Sequence, residues 1–221
     1  MPERVLIDND VVLKVSCYNL VAETLVAITV DGVAPAMLGV GRFVVRGRLA
    51  KARNVSDRAK AIDAFERLLT AVGAVEPDED ELSLAADLEA AAIRHDLDLD
   101  GGESQLVAVL ARRCCDLLLT GDKRAILAMA ATAAEITASR IACLEQLVSH
   151  LVAMAGAARV RPGVCAEPLV DRAVTACFEC SRAAPPSDRE VLEGLASYVR
   201  HLDRAAPGVL LPSLDLAGLA T

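Results

Sequence analysis

Short apolar segments alternating with helical stretches predict an α/β chain: a three-layer α/β/α sandwich around a parallel sheet, followed by a C-terminal helical extension. Three observations carry that expectation. Val5-Leu6-Ile7 is a compact apolar run that stops at Asp8, and Leu117-Leu118-Leu119-Thr120-Gly121 is a second one that stops at Asp122. Between them, 99–104 reads Leu-Asp-Gly-Gly-Glu-Ser, a turn that opens a helix on Glu103. Finally, 54% hydrophobic residues in a chain of 221 suffice for a substantial core, which excludes a disordered chain.

Taken in order, residues 4–7 read as a buried strand, followed by helical stretches to Tyr18 and over 20–28. Pro35 reads as the first turn of a helix running toward Lys51, and Ser56 with Asp57 as the start of another reaching Val72. Residues 74–76 form a further strand, 78–95 a helix with an acidic start, and 103–113 a helix behind the Gly pair. The clearest strand is 116–120; a helix to about Ala131, a strand at 140–143 and a helix over 144–155 follow. The stretch 156–163, with Pro162, reads as a connection, so the first domain is set at 1–155 and the extension at 156–221. Within the extension, 169–180 and 187–204 are amphipathic and flank Ala184-Pro185-Pro186; Ser187 and Glu190 have capping-box spacing, which predicts a helical hairpin.

Aromatics at 2%, with no Trp, leave an aliphatic core and argue against a base-stacking surface. A net charge of −8 argues against indiscriminate binding to phosphate backbones, yet the distribution is uneven. Arg42, Arg46, Arg48, Lys51, Arg53, Arg58 and Lys60 fall in one run with Asp57 as its sole acid, whereas 76–81 is almost wholly acidic. The run is either a solvated helix face or a phosphate-guiding surface. No apolar stretch approaches the roughly 20 residues of a membrane span, and no signal-peptide pattern opens the chain, so a cytosolic protein without membrane contact is expected. Seven scattered cysteines suggest no disulfide framework and a reducing compartment. Cys177 and Cys180 have the spacing of half a zinc site but lack a second pair or a nearby His, so they read as small apolar core residues. His95, His150 and His201 stand apart without a nucleophile motif.

In an open parallel sheet, ligands bind beyond the carboxyl ends of the strands, where acids distant in sequence converge. Asp8, Glu103 and Asp122 each occupy such a position, and hard cations such as Mg²⁺ take oxygen ligands. Glu145, past the last strand, and Asp10, two residues beyond Asp8, are further candidate ligands. Asp116 begins the strand that Asp122 follows, roughly 20 Å away at about 3.3 Å per residue, and is set aside.

The three segments 5–10, 99–105 and 116–124 resemble the acidic motifs of PIN-domain proteins, over roughly residues 4–150. The resemblance implies a parallel α/β/α sandwich and a metal-dependent nuclease, often a ribonuclease of toxin–antitoxin pairs or of RNA processing. It implies Asp8, Glu103 and Asp122 as catalytic ligands of Mg²⁺ or Mn²⁺, with RNA ahead of DNA as substrate and an antitoxin-like protein as candidate partner. Lys123 and Arg124 at the following helix start, with Arg42, Arg46 and Arg48, would contact the substrate phosphates. One departure stands out: many active members carry an acid after the first strand–helix unit, and between Asp31 and Asp57 this chain has none.

Two alternatives remain open. Asp8-Asn9-Asp10 also has the Asp-x-Asp form of haloacid-dehalogenase-like phosphohydrolases, although Glu103 has no role there. Alternatively, the chain is a PIN-like binding scaffold whose acids are remnants, with Asp100 and Glu103 serving as helix caps. The Ala-rich helices over 84–93 and 144–155 serve the core or an apolar homodimer interface.

Overall fold

The computed structural model describes residues 3–212. Its centre is a five-stranded, wholly parallel sheet: β1 (Val5–Ile7), β2 (Ala36–Leu38), β3 (Gly73–Val75), β4 (Leu117–Thr120) and β5 (Ile141–Cys143), in spatial order β3-β2-β1-β4-β5. Parallel neighbours require crossovers, and helices supply them. Before the chain returns to the sheet at β4 lie α1 (Asn9–Cys17), α2 (Val21–Ile28), α3 (Gly41–Lys51), α4 (Arg58–Leu69), α5 (Glu79–Arg94) and α6 (Gly101–Arg112). After it come α7 (Lys123–Thr132), α8 (Ala134–Thr137) and α9 (Leu144–Ala155), then α10 (Ala157–Ala166), α11 (Arg172–Cys177) and α12 (Asp188–Ala205).

Strand side chains alternate between faces, and the two cores follow that alternation. Val5 and Ile7 of β1 and Leu117 and Leu119 of β4 pack with α1 to α4, α9 and α10. Leu6 and Leu118 point the other way, against α5, α6 and α7. Both sheet faces are therefore covered, which is the three-layer arrangement. The helix α12 joins the layers: Val191 and Leu195 enter the first core, Val199 and Leu202 the second. Beyond it, Leu210 bridges Ile141 and covers the β5 edge, so the extension packs into the same two cores as the sheet. Residues 213–221 of the expected extension lie outside the described residues.

Several segments differ from expectation: 169–180 is helical only over Arg172–Cys177, Gly101 and Gly102 lie in the first turn of α6 rather than ahead of it, and two further differences have a clear physical reason. Pro35 does not open a helix; it precedes β2, where its carbonyl accepts from Gly73 N at 2.9 Å. Proline is tolerated at a strand start, and three apolar residues carry no period that separates strand from helix. The presumed connection at 156–163 is the first part of α10, with Pro162 inside it. Burial of Val160 and Val164 outweighs the local cost, and Gly163 lets the helix pass over the carbonyl of Tyr18, where a Cβ would clash. The cysteines differ as well: Cys165 and Cys180 form a disulfide, while Cys177 lies buried among apolar side chains. Cys180 is thus withdrawn from any zinc reading. No described helix is long and apolar enough to cross a membrane.

Candidate functional site

Strand order reverses at β1: the chain builds outward to β2 and β3 on one side, then returns to place β4 on the other. The crevice beyond the carboxyl ends of β1 and β4 is the switch point where such sheets bind ligands. Asp8 leaves β1 into it and caps α1, with Oδ1 accepting from Asn9 N at 2.6 Å. Asp122 leaves β4 and caps α7, with Oδ1 accepting from Arg124 N at 2.8 Å. Glu103 arrives from α6, where it and Asp100 form a reciprocal capping box. These local bonds are why sequence positions alone can aim all three acids.

Burial separates the acids. Asp8 is 6% exposed and Glu103 7%. Burial, with Asp10 nearby, pushes the Asp8 carboxyl up to about 6. Burial and the charges of Asp100, Asp8 and Asp122 push Glu103 up to about 8. At Asp122 burial works in the same direction, but the Arg124 guanidinium overcomes it and holds the carboxyl below its usual range. Arg124 reaches Asp122 Oδ2 at 3.0 Å and Asp98 at 3.2 Å. Asp98, Leu99, Asp100, Glu103, Asp122 and Arg124 line a cavity of about 290 Å³.

Thr120 ties this group together, a role that the sequence reading missed. Its hydroxyl donates to Asp8 Oδ2 at 3.3 Å and accepts from Asp122 N at 3.2 Å, so one side chain fixes the exits of both central strands. A polar residue ending an otherwise apolar strand was its available signal. Asp10 faces Gly121, where a Cβ would run into its carboxylate. Lys14 holds Asp10 at 2.7 Å and Asp171 of the extension at 2.9 Å.

Glu145 is buried behind Lys123, whose ammonium lies 2.5 Å from Oε1 and 5.3 Å from the Tyr198 ring. The contacts of Asp10 Oδ2 and Glu145 Oε1 with these lysines are ion pairs without hydrogen-bond geometry. Asp116 pairs with Arg4 ahead of β1, at the opposite edge. In the basic run, Arg46 is bound by Glu66 at 2.6 and 2.8 Å, Arg42 stacks over Phe43 at 4.9 Å, and Arg48 lines a groove beside Asp10.

The donors in the crevice are carboxylate oxygens, the chemistry that Mg²⁺ and Mn²⁺ accept. Among the described residues, no three His, Cys, Asp or Glu side chains gather closely enough to enclose an ion by themselves. Mg²⁺ usually takes one or two protein carboxylates and keeps several waters, so an open set of acids fits it better than a closed cage would. Comparison with protein-family models, curated proteins and solved structures gives no match.

Proposed function

We propose that the chain is a PIN-like, metal-dependent nuclease that hydrolyses RNA phosphodiester bonds, of the toxin or RNA-processing kind. One observation carries this reading: Asp8 and Glu103, from distant parts of the chain, stand at the switch point near enough for the charge of Asp8 to raise the Glu103 carboxyl, while both are buried and neither forms an ion pair among the described residues. Without a counter-charge, burial pushes both carboxyls toward the neutral form, and a bound cation is what would ionise them. Asp8, Glu103 and Asp122 would hold Mg²⁺ or Mn²⁺, with Thr120 positioning the first and last of them.

When bound, the ion lowers the pKa of a water and offsets charge on the attacked phosphodiester. The remaining steps belong to the protein. Glu103 and Asp100 keep a fixed wall of the cavity through their mutual cap. Arg124 neutralises Asp122 in the free protein and is near enough to turn toward a substrate phosphate. Lys123, held between Glu145 and Tyr198, presents a second cation at the same helix start.

The test combines calorimetric titration of Mg²⁺ and Mn²⁺ with pooled-RNA cleavage, on the parent and on Asp8→Asn and Asp122→Asn. Loss of both binding and cleavage in the variants supports the nuclease. Phosphatase activity without RNA cleavage points to the dehalogenase-like reaction, and absence of metal binding in the parent leaves a scaffold.

A further inference from the structure

Resting on the nuclease reading, the groove beside the crevice points to how a substrate strand is held. The helices α1 and α3 and the segment around Val170 enclose a cavity of about 590 Å³, within the range of about 300–1,000 Å³ typical of ligand sites. Asp10, Lys14, Phe43, Arg48, Lys51 and Asn54 line it. One end meets Gly121, the residue before Asp122, through Asp10. Arg48 and Lys51 have no ion pair among the described residues, in contrast to Arg46 on the same helix.

Phe43 is the unusual member. Of the three phenylalanines, Phe65 and Phe178 are fully buried, whereas Phe43 is 62% exposed in this groove with Arg42 against its ring. The sequence, with so few aromatics, argued against a stacking surface; the fold places one exposed ring in a groove with Arg48 and Lys51, which have no ion pair among the described residues. An aromatic face within a basic channel suits an unpaired strand, because every base presents a π-face and every linkage a phosphate. We propose that this groove binds the single strand flanking the scissile phosphate, with one base stacked on Phe43 and phosphates on Arg48 and Lys51.

The test is fluorescence anisotropy of a short labelled single-stranded RNA and of its duplex, in EDTA so that cleavage does not intervene. Phe43→Ala should weaken single-strand binding by about 5–150-fold and leave duplex binding unchanged, while Phe43→Tyr restores it. Arg48→Gln and Lys51→Gln should each reduce the salt slope by about one. The proposal is overturned if Phe43→Ala binds the strand like the parent, if the duplex binds equally well, or if the parent captures an acidic peptide and no strand. Phe43-dependent binding by a parent that cleaves nothing would retain the groove and sink the nuclease. Metal-dependent cleavage that is indifferent to Phe43 would do the reverse.

Discussion

The starts of α5 and α6 are built from the same local device, an Asp N-cap with a Glu three residues on: Asp78 with Glu81, and Asp100 with Glu103. In both, the Glu side chain returns to the cap N–H at 2.9 Å and the Asp accepts from the Glu N–H, at 2.8 and 2.9 Å. Both Glu side chains are buried. What surrounds them is opposite. Arg113 grips Glu81 through two bonds of 2.7 and 2.8 Å and lowers its carboxyl pKa, whereas Glu103 faces Asp8, Asp100 and Asp122, and its carboxyl is pushed upward, chiefly by burial. A capping box therefore explains why a Glu stands at either position, but not why one of them lacks an ion-pair partner among the described residues. That deficit is what separates a structural acid from a candidate ligand.

The largest effect should appear at the uncompensated box. Under the nuclease reading, Glu103→Gln or Asp8→Asn lowers metal-dependent cleavage by more than the roughly 10–100-fold that loss of an outer-shell partner costs, as measured in single-turnover assays. Glu81→Gln should leave cleavage at the parental level.

Stability should move the other way. Arg113→Met strands a buried carboxylate and should cost about 2–3 kcal/mol in urea unfolding, less than a fully buried pair would because Arg113 remains a quarter exposed. Next in size, exchanging each Glu for Gln keeps the cap but removes the charge. Glu81→Gln should destabilise by about 1–2 kcal/mol through loss of its charge-assisted bonds to Arg113. Glu103→Gln should stabilise the metal-free protein by about 1 kcal/mol at neutral pH, because the buried carboxyl, pushed up to about 8, keeps a proton there that the unfolded chain gives up. Destabilisation by both substitutions would erase the contrast.

The smallest effect concerns a compensated acid of the extension. At Asp171 burial works to raise the pKa, but Lys14 prevails and holds the carboxyl below its unfolded value near about 3.9. Its stabilising contribution is therefore complete above that value and is lost as pH falls through the lower, folded one. Acid unfolding of the parent should carry this component, of about 1 kcal/mol, and Asp171→Asn should lack it.

The two central strands were legible because Val5-Leu6-Ile7 and Leu117-Leu118-Leu119 are apolar enough to require burial on both faces, and each ends on an acid. The helix starts at Asp78 and Ser187 were legible because caps are local chemistry, satisfied within three residues, whereas α6 begins two residues before the Glu103 start that the sequence suggested. β2 was not, since Ala36-Met37-Leu38 becomes a strand through its neighbours β1 and β3 rather than through any preference of its own. Nor was the Cys165–Cys180 bond, which depends on how α10 is brought beside the segment after α11. For the site, sequence alone determined which residues carry carboxylates and at which strand and helix ends they stand. Only the tertiary structure decided that Arg113 would reach Glu81, that Thr120 would join Asp8 to Asp122, and that no described cation would form an ion pair with Glu103. Local order is written in neighbours along the chain, whereas charge compensation depends on which distant side chains the sheet brings within a few ångströms.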